Sequence, residues 1–255
     1  MSLLEARSVS VSAGNKLICT GMDFQLERDE CWGILGTNGV GKTTLLHVLA
    51  GLKNPDQGDI LVNGRMIGGY QRKALARQVG ILFQDSHDSF PVTALDTVLT
   101  GRHPHLPFWA LESADDIAMS MQALEQVSLS ATAHRMVNTL SGGERRRLSL
   151  ATLLVQGPEI WLLDEPTNHL DVHQQIVLLD LIVKKVINTG GGIMMVLHDV
   201  NLVTRFCTHA LLMVDPDTWI CGPVADVITV ANLQALYRHS IGMIESGGNR
   251  YFYPT

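Results

Sequence analysis

The sequence predicts an α/β fold with a mostly parallel sheet, an N-terminal antiparallel β portion and an inserted helical subdomain. Strand-like stretches separated by turn residues fill the first third of the 255 residues. The middle third has apolar residues at helical spacing, and two short runs of large apolar residues follow it. Strands that alternate with helices are typical of parallel sheets. A chain of this length can bury a substantial core in one large domain.

The first third predicts strands bounded by short turns. Residues 3–35 alternate apolar and polar positions, with turns expected at Gly14-Asn15 and Arg28-Asp29. The stretch "GDILVNG" (residues 58–64) predicts a further strand that ends in an Asn-Gly turn. The stretch "QVGILFQ" (residues 78–84) then predicts a parallel strand.

The segment from about 86 to 158 predicts a mainly helical subdomain. In it, residues 113–127 place apolar side chains at helical spacing behind a Ser113 N-cap with Asp116 three residues on. After it, "EIWLLDE" (159–165) and "GIMMVLHD" (192–199) predict buried strands. The predicted organisation is one domain over 1–255, with a core at 1–85 and 159–240, a helical subdomain at 86–158 and a C-terminal tail at 241–255.

Charge and cysteine content disfavour several classes of function. The chain has 19 Lys and Arg against 25 Asp and Glu, a net charge of −6, whereas nucleic-acid binding calls for a basic excess or a basic face. The basic run at 145–147 is too short to change this. The N-terminal stretch lacks the basic region and long apolar core of a secretory leader, and no uncharged apolar run of about 18 residues occurs, so neither a leader nor a membrane span is expected. Four cysteines without metal-ligand spacing are expected to be buried, reduced thiols: Cys19, Cys31, Cys207 and Cys221.

A glycine-rich stretch, "GTNGVGKTT" (residues 36–44), lies between a predicted apolar strand and a predicted helix. Its pattern is that of a phosphate-binding loop, whose glycines let backbone N–H groups surround polyphosphate oxygens. Lys42 would add a positive charge at the terminal phosphates, Thr43 would bind magnesium, and the helix N-terminus adds partial positive charge. A chance match is the alternative, and the flanking strand and helix disfavour it. The stretch therefore predicts a P-loop NTPase core.

Four polar side chains at the ends of predicted strands are candidates for the chemistry. Asp164 and Glu165 follow a run of large apolar residues, so that one carboxylate can hold magnesium and the other can reach the attacking water. His198 can donate to the γ-phosphate and hold that water, and the amide of Gln84 can meet both magnesium and water. The alternative is structural: the acidic pair then marks the exit of a strand into solvent.

The stretch "LSGGE" (residues 140–144) opens another predicted helix with a serine and two glycines. This is a second helix N-terminus suited to an anion. The alternative is an ordinary Ser141 N-cap in which Glu144 completes a capping box, and both can hold. A second phosphate-binding terminus in a chain that already has one suggests a second subunit.

The ordered set GTNGVGKTT, Gln84, LSGGE, WLLDEP, NHLD and LHD resembles the nucleotide-binding subunit of ABC transporters, over the chain up to about residue 240. The resemblance implies a homodimer that holds two ATP with Mg²⁺, each γ-phosphate facing the phosphate loop of one subunit and the signature helix of the other. It implies that the phosphates contact Gly36, Asn38, Gly39, Gly41, Lys42, Thr43 and Thr44, and that magnesium is held by Thr43, Gln84 and Asp164. It assigns catalysis to Glu165, His198 and Gln84, and action across the dimer to Ser141, Gly142, Gly143 and Asp171.

A finer resemblance concerns residues 90–106, "FPVTALDTVLTGRHPHL", and 164–175, "DEPTNHLDVHQQ". Both resemble ATPases of metal-chelate importers, those for ferric siderophores, haem and cobalamin. This implies a peripheral subunit on the cytoplasmic face of the inner membrane, a permease dimer as partner and, indirectly, a periplasmic or lipoprotein substrate-binding protein. A soluble non-transport ABC ATPase is the alternative. His103 and His105 fit a family backbone motif better than a metal site, because Pro104 separates them.

The stretch "VSAG" (residues 11–14) departs from the pattern of similar proteins, which usually carry a tyrosine that stacks on adenine where this chain has Ala13. Thr37 also replaces a common proline. The phosphates would still bind, but the base lacks its usual partner. The alternative is that Arg7, His47 or an aromatic side chain elsewhere covers the adenine.

Overall fold

The computed structural model describes residues 2–84, 91–107 and 109–255; Phe90 and the other undescribed positions of the predicted helical subdomain lie outside these ranges. The strands are β1 (Leu4–Ala13), β2 (Lys16–Leu26), β3 (Cys31–Gly36), β4 (Gln57–Val62), β5 (Arg65–Met66), β6 (Val79–Leu82), β7 (Ile160–Asp164), β8 (Gly192–Val196), β9 (His209–Asp215), β10 (Thr218–Pro223), β11 (Ile241–Ser246) and β12 (Asn249–Pro254). The α-helices are α1 (Lys42–Leu49), α2 (Arg72–Gln78), α3 (Ala94–Leu99), α4 (Ala114–Gln126), α5 (Gly142–Gln156), α6 (Val172–Ile187), α7 (Val200–Phe206), α8 (Val224–Val227) and α9 (Val230–Tyr237).

The central sheet has the strand order β10-β9-β3-β8-β7-β6. All neighbours in it are parallel except the edge pair β9 and β10. The carboxyl ends of β3, β6, β7 and β8 therefore meet at one edge, which is where open α/β sheets bind ligands. This arrangement confirms the predicted α/β fold with a mostly parallel sheet.

The N-terminal strands form a separate antiparallel sheet in the order β2-β1-β4-β5, as predicted. The register of β1 shifts near Ser8, which has a φ of +48°. Opposite this bulge, a Cβ at Gly58 would lie 2.3 Å from the Ser8 carbonyl oxygen. Only glycine therefore fits where β4 passes the bulge.

Strand β7, which leads into the candidate site, is covered on both faces. Ile160 and Leu162 pack into a core with α1 and the antiparallel sheet. Trp161 and Leu163 pack on the other face, in a core with α6, α7 and α9. All four side chains are at most 2% exposed, the pattern of a parallel strand between two layers. The end of β7 is thereby held rigidly.

Helices α3, α4 and α5 follow β6 and precede β7 in the chain, and they pack around a third core of their own. Each of them begins with a capping box, at Thr93, Ser113 and Ser141, which confirms the predicted Ser113 cap. The Asp116 carboxylate accepts hydrogen bonds from Ser113 and lies 2.7 Å from Arg102. These partners, the Ser113 backbone N–H first, lower the pKa of Asp116 to about 2. Within the described residues, no helix is long and apolar enough to span a membrane.

Residues 241–255, predicted only as a tail, form a hairpin of β11 and β12. Asn201 of α7 fixes the hairpin with two hydrogen bonds: its Nδ2 donates to the Phe252 carbonyl at 3.1 Å, and the Phe252 N–H donates to its Oδ1 at 2.9 Å. The Phe252 side chain is 6% exposed and belongs to the core beneath α7. The C-terminal segment is thus part of the folded domain.

The cysteines are all free thiols, and their burial is less uniform than predicted. Cys19 and Cys31 are buried, whereas Cys207 and Cys221 are half-buried. Burial raises the pKa of the Cys19 thiol to about 11. Such a thiol stays protonated and unreactive at neutral pH.

Candidate functional site

The predicted phosphate loop connects β3 to α1. Gly39 and Gly41 have φ values of +75° and +114°, in a region that glycine tolerates best. A Cβ at Gly41 would also lie 2.3 Å from two carbon atoms of Ile18. Lys42 begins α1, and its Nζ donates to the Gly36 carbonyl oxygen at 2.8 Å. The ammonium group therefore lies within the loop.

A cavity of about 550 Å³ opens beside this loop. Lys42 at its wall is 6% exposed; burial lowers the pKa of its ammonium group, and the nearby carboxylates of Glu165 and Asp164 oppose that shift. A buried cation and a glycine-rich loop in one cavity suit a polyphosphate. The lining consists of predicted site residues and three others: Asn38, Gly39, Gly41, Lys42, Thr43, Thr44, Gln84, Glu165 and His198, with Ala13, Lys16 and Ile18.

Glu165 is the centre of a hydrogen-bond network at the cavity wall. Nε2 of His198 lies 2.7 Å from its Oε1, and Nε2 of Gln84 donates to its Oε2 at 3.1 Å. Asn168 Nδ2 also donates to Oε2. Glu165 has a φ of +51°, which costs a residue other than glycine about 1–3 kcal/mol. The structure thus brings the three predicted catalytic side chains together around one strained residue.

Asp164, the last residue of β7, is 1% exposed. Among the described residues, neither of its carboxylate oxygens has a hydrogen-bond partner of regular geometry. Burial raises the pKa of this carboxyl group, and it outweighs the nearby Thr43 hydroxyl and the positive charge of Arg146, which favour the charged form. A buried carboxylate without partners is unfavourable unless a cation compensates it.

The donors around Asp164 suit magnesium, which prefers oxygen ligands. Thr43 supplies a hydroxyl beside Asp164. Gln84, which contacts the adjacent Glu165, supplies an amide oxygen, and the side chains of Thr43 and Gln84 line the cavity. The unpartnered buried carboxylate of Asp164 is the observation that tests this fit, because a divalent cation would provide the missing partner. The residues present therefore fit the ion.

The predicted signature segment begins α5 with a complete capping box. The Ser141 Oγ accepts from the Glu144 N–H at 3.2 Å, and Glu144 Oε2 accepts from the Ser141 N–H at 2.7 Å. These bonds lower the pKa of Glu144. The structural explanation of this motif is thus correct, and it leaves the rest of the N-terminus available for an anion.

In the single chain the signature residues lie apart from the cavity. A Cβ at Gly143 would lie 3.1 Å from the His169 carbonyl oxygen, and Gly142 faces the His169 side chain. Asp171 caps α6, and its Oδ1 accepts from the Gln174 N–H at 2.8 Å. Among the described lining residues, none belongs to these two helix N-termini. A contact with the γ-phosphate would therefore need a second chain.

Ala13 lies at the end of β1 and forms part of the cavity wall. Its side chain is a single methyl group, so this position offers no aromatic face to a nucleobase. Lys16, also in the lining, donates from Nζ to the Gly39 carbonyl oxygen at 2.5 Å. The wall on this side is therefore a methyl group and an alkyl chain that ends in a cation.

Two other side chains considered as covers for adenine are engaged elsewhere. Arg7 forms an ion pair with Glu5 at 2.8 Å. The His47 ring packs edge-on against Phe83, with 5.6 Å between ring centroids. Neither belongs to the cavity lining in the described part of the chain.

The two histidines of "GRHPHL" contact different partners. Nε2 of His103 lies 3.5 Å from Oε1 of Glu112, and Nε2 of His105 lies 2.8 Å from the Gln156 carbonyl oxygen. Within the described ranges, no group of three or more metal-ligating side chains is present. The two rings therefore connect loops and helices.

Two residues near the site were missed by sequence reasoning, Asn168 and Arg146. Asn168 follows Glu165 by three residues, and its N–H donates to the Glu165 carbonyl oxygen at 3.2 Å; its place in "NHLD" was an available signal. Arg146 is 6% exposed, although a run of three arginines usually indicates a solvated surface. Its burial could not be inferred from that run.

Comparisons with known proteins show the family to which this chain is similar. A match to the ABC transporter family covers residues 19–168. The hemin import ATP-binding protein HmuV of Ruegeria sp. (strain TM1040) is 36% identical over 92% of this chain and 90% of its own length. The petrobactin import ATP-binding protein FpuD of Bacillus anthracis is 34% identical over 92% of this chain and 86% of its own length.

The fold has a similar relative among solved structures. A structure described as an inward-facing conformation of a metal-chelate type ABC transporter aligns with a TM-score of 0.86 and 27% identity, over 100% of this chain and 98% of that one. The chain belongs to the ABC transporter ATP-binding family.

Proposed function

We propose that this chain is the ATP-hydrolysing subunit of an importer for metal chelates such as ferric siderophores, haem or cobalamin. Membership of the ABC family makes the chain an ATP-binding ATPase. The observation that carries the proposal is the cavity in which the buried Lys42 ammonium faces Glu165. The class of cargo is supported by relatives named for hemin and petrobactin import and by the metal-chelate type neighbour.

In this proposal the phosphates of ATP lie along residues 36–44. Lys42 exchanges the carbonyl oxygen of Gly36 for phosphate oxygens, which carry full negative charge and are stronger acceptors. Asn38, Gly39 and Gly41 would supply backbone N–H groups from the loop before α1, and Thr44 would supply one from the first turn of that helix. Ala13 leaves the base with less contact than the phosphates.

Magnesium would be held by Asp164, Thr43 and Gln84, and it would supply positive charge opposite the phosphate oxygens. Glu165 takes the proton of the attacking water, a role that contributes about 10²–10⁴-fold to the rate. His198, whose Nε2 lies 2.7 Å from Oε1 of Glu165 in the structure, would donate to the γ-phosphate when ATP is bound and hold the attacking water. These catalytic roles are supported by the grouping of the Gln84, Glu165 and His198 side chains in one cavity wall.

The second half of the site comes from a second copy of this chain. Ser141, Gly142 and Gly143 would bind the γ-phosphate held by the other copy, and Asp171 would couple the two sites. The dimer would associate with a permease dimer on the cytoplasmic face of the inner membrane. A periplasmic or lipoprotein substrate-binding protein would take part indirectly, and nucleic acid would not.

Glu165→Gln tests the chemistry. The amide keeps the shape of the side chain but cannot accept the proton, so hydrolysis should fall at least about 10²-fold while ATP binding persists and ATP-bound dimers accumulate. Phosphate release, a fluorescent nucleotide titration and sizing chromatography measure the three effects. Glu125→Gln, at an exposed position of α4, is the control. A Glu165→Gln protein that keeps a third of the parent rate would exclude Glu165 as the base.

Uptake tests the cargo class separately. Cells that carry Glu165→Gln in place of the native chain should lose uptake of one labelled chelate, among a ferric siderophore, haem and cobalamin, and should regain it with the native chain. Unchanged uptake of all three would reject the cargo class and leave the ATPase assignment intact. It would then favour the alternative, a non-transport ABC ATPase.

A further inference from the structure

Arg146 is a buried cation in the second turn of α5, 6% exposed. Its guanidinium group reaches four backbone carbonyl oxygens at the ends of two strands of the central sheet. Nη1 donates to Phe83 and, at 3.4 Å, to Gln84. Nη2 donates to Asp164, and Nε donates to Pro166 at 3.4 Å. The planar fork of an arginine presents several donors in fixed directions, which suits this task.

Two of these carbonyl groups flank Glu165. The carbonyl of Asp164 belongs to the peptide unit just before Glu165, and the carbonyl of Pro166 belongs to the second peptide unit after it, so the main chain on both sides of Glu165 is tied to one guanidinium group. Glu165 itself has a φ of +51°, a conformation that persists only where the surroundings impose it. Arg146 is placed to impose it.

The other two carbonyl groups belong to the segment that ends in Gln84. Its side chain donates to Oε2 of Glu165 at 3.1 Å. Arg146 thus holds the main chain on both sides of this side-chain contact. A change in its position would displace Gln84 and Glu165 relative to each other.

Arg146 also lies close to the N-terminus of α5, which the proposed function places against the ATP of the second copy. It lies five positions beyond the Ser141 cap, which is roughly 7 Å along a helix. A helix of this length transmits a displacement of its end to a side chain in its second turn. One residue therefore connects the signature end of the helix to the acidic strand end of the same chain.

We propose that Arg146 is a positioning residue that holds Glu165 and Gln84 in the geometry for hydrolysis and connects this geometry to the signature helix. The proposal rests on the proposed role of Glu165. A purely structural role makes a different prediction, since loss of a buried cation that only stabilises the fold would weaken ATP binding and thermal stability together with turnover.

Arg146→Gln and Arg146→Lys test the proposal in the full-length protein. Turnover should fall about 10- to 100-fold for Arg146→Gln, because misplacing a catalytic group by about 1 Å has an effect of that size. The dissociation constant for ATP, measured with a fluorescent analogue in the absence of turnover, should stay within about threefold. Arg146→Lys should recover part of the rate, since an ammonium group carries three donors.

Arg145→Gln is the matched control. Arg145 is the neighbour in the same helix, is exposed, and its Nε donates only to the Leu140 carbonyl oxygen among described partners. Its replacement should leave turnover unchanged. The double variant Arg146→Gln with Glu165→Gln should be no slower than Glu165→Gln alone, because both changes act on the same step.

The outcomes separate this inference from the proposed function. If Glu165→Gln abolishes hydrolysis while both Arg146 variants keep the parent turnover, positioning by Arg146 is wrong and the role of Glu165 stands. If Glu165→Gln hydrolyses ATP normally, both fail. If Arg146→Gln weakens ATP binding and lowers the melting temperature together with turnover, Arg146 has only a structural role. Should Arg146→Gln fail to fold, Arg146→Lys decides by the same criteria.

Discussion

Replacing Asp164 by asparagine should stabilise the metal-free protein. The carboxylate is 1% exposed, has no regular hydrogen-bond partner among described residues, and has a pKa raised by burial. A carboxyl group with a raised folded-state pKa favours folding while it is protonated. That stability is lost as the pH rises from the unfolded value of 3.8 through the folded-state pKa. At neutral pH the ionised carboxylate therefore opposes folding.

The expected size follows from two opposing effects. A buried polar atom without a partner costs about 1–3 kcal/mol, and the amide removes the charge but remains polar. It also removes an attraction to Lys42, whose pKa the carboxylate of Asp164 raises. We expect a net gain of about 1 kcal/mol in the free energy of unfolding, which is roughly 2–4 °C in melting temperature for a chain of this size.

Thermal unfolding with and without magnesium measures both halves of the prediction. In EDTA the variant should melt above the parent. With a non-hydrolysable ATP analogue, magnesium at a concentration of about 100 times its dissociation constant should add about 2.7 kcal/mol to the free energy of unfolding of the parent. This raises the melting temperature of the parent and should leave that of the variant unchanged.

Asp180→Asn is the control for this experiment. Asp180 lies on the surface of α6 with its side chain 47% exposed and pairs with Lys184 at 3.5 Å, and its replacement should shift stability by no more than about 0.5 kcal/mol. If Asp164→Asn melts at or below the parent in EDTA, the folded chain already compensates the carboxylate. A magnesium response that survives in this variant would refute the assignment of Asp164 as a ligand.

Three further predictions concern the dimer, the contact with the nucleobase of ATP and the helical subdomain. Hydrolysis per subunit should rise with protein concentration, because Ser141 lies outside the cavity lining of its own chain; a rate that stays flat where sizing shows only monomer would contradict this. Ala13→Tyr should tighten ATP and GTP alike by about 5- to 100-fold, since stacking on a base contributes about 1–3 kcal/mol; competition titrations that show no gain would mean that the base is already covered. Ser113→Ala should lower the free energy of unfolding by about 0.5–2 kcal/mol in urea titrations at neutral pH. The stabilisation that the ionised Asp116 carboxylate provides is present above pH 3.8 and should be lost as the pH falls towards about 2. Asp116→Asn should abolish this pH dependence; identical acid unfolding of the parent and Asp116→Asn would argue against it.

The polar residues that end the apolar strands could be predicted from the sequence. Asp164, Gln84 and His198 each follow a short run of buried residues, and parallel strands bring their carboxyl ends to one edge. The phosphate loop was equally clear from its local glycine pattern, and the structure shows one reason for that pattern: a Cβ at Gly41 would lie 2.3 Å from Ile18. In these cases a local pattern fixes both the structure and the position.

Other features depend on contacts between distant segments. Arg146 is buried by the ends of β6 and β7, which lie 62 and 18 residues away in the chain. Helical spacing placed Ile117 on an apolar face, yet it is 42% exposed while Ser120 is fully buried, since the position of α5 decides which face of α4 is covered. The hairpin after residue 240 had a local signal that was missed, Gly247 and Gly248 between two strand-like runs.

The two adjacent carboxylates at the end of β7 differ in their hydrogen bonds, and this difference supports different roles. Asp164 is without a regular partner among described residues, whereas Glu165 accepts from Gln84, His198 and Asn168. A water that gives its proton to Glu165 must hydrogen bond to the same carboxylate, so it competes with these donors. Gln84 and His198 line the cavity, where the proposed metal and γ-phosphate offer them new partners, but Asn168 is not among the described lining residues. Nucleotide binding would thus draw Gln84 and His198 away from Glu165 and leave Asn168 to hold its carboxylate. Glu165 would then be free to accept a proton from water only when the site is occupied.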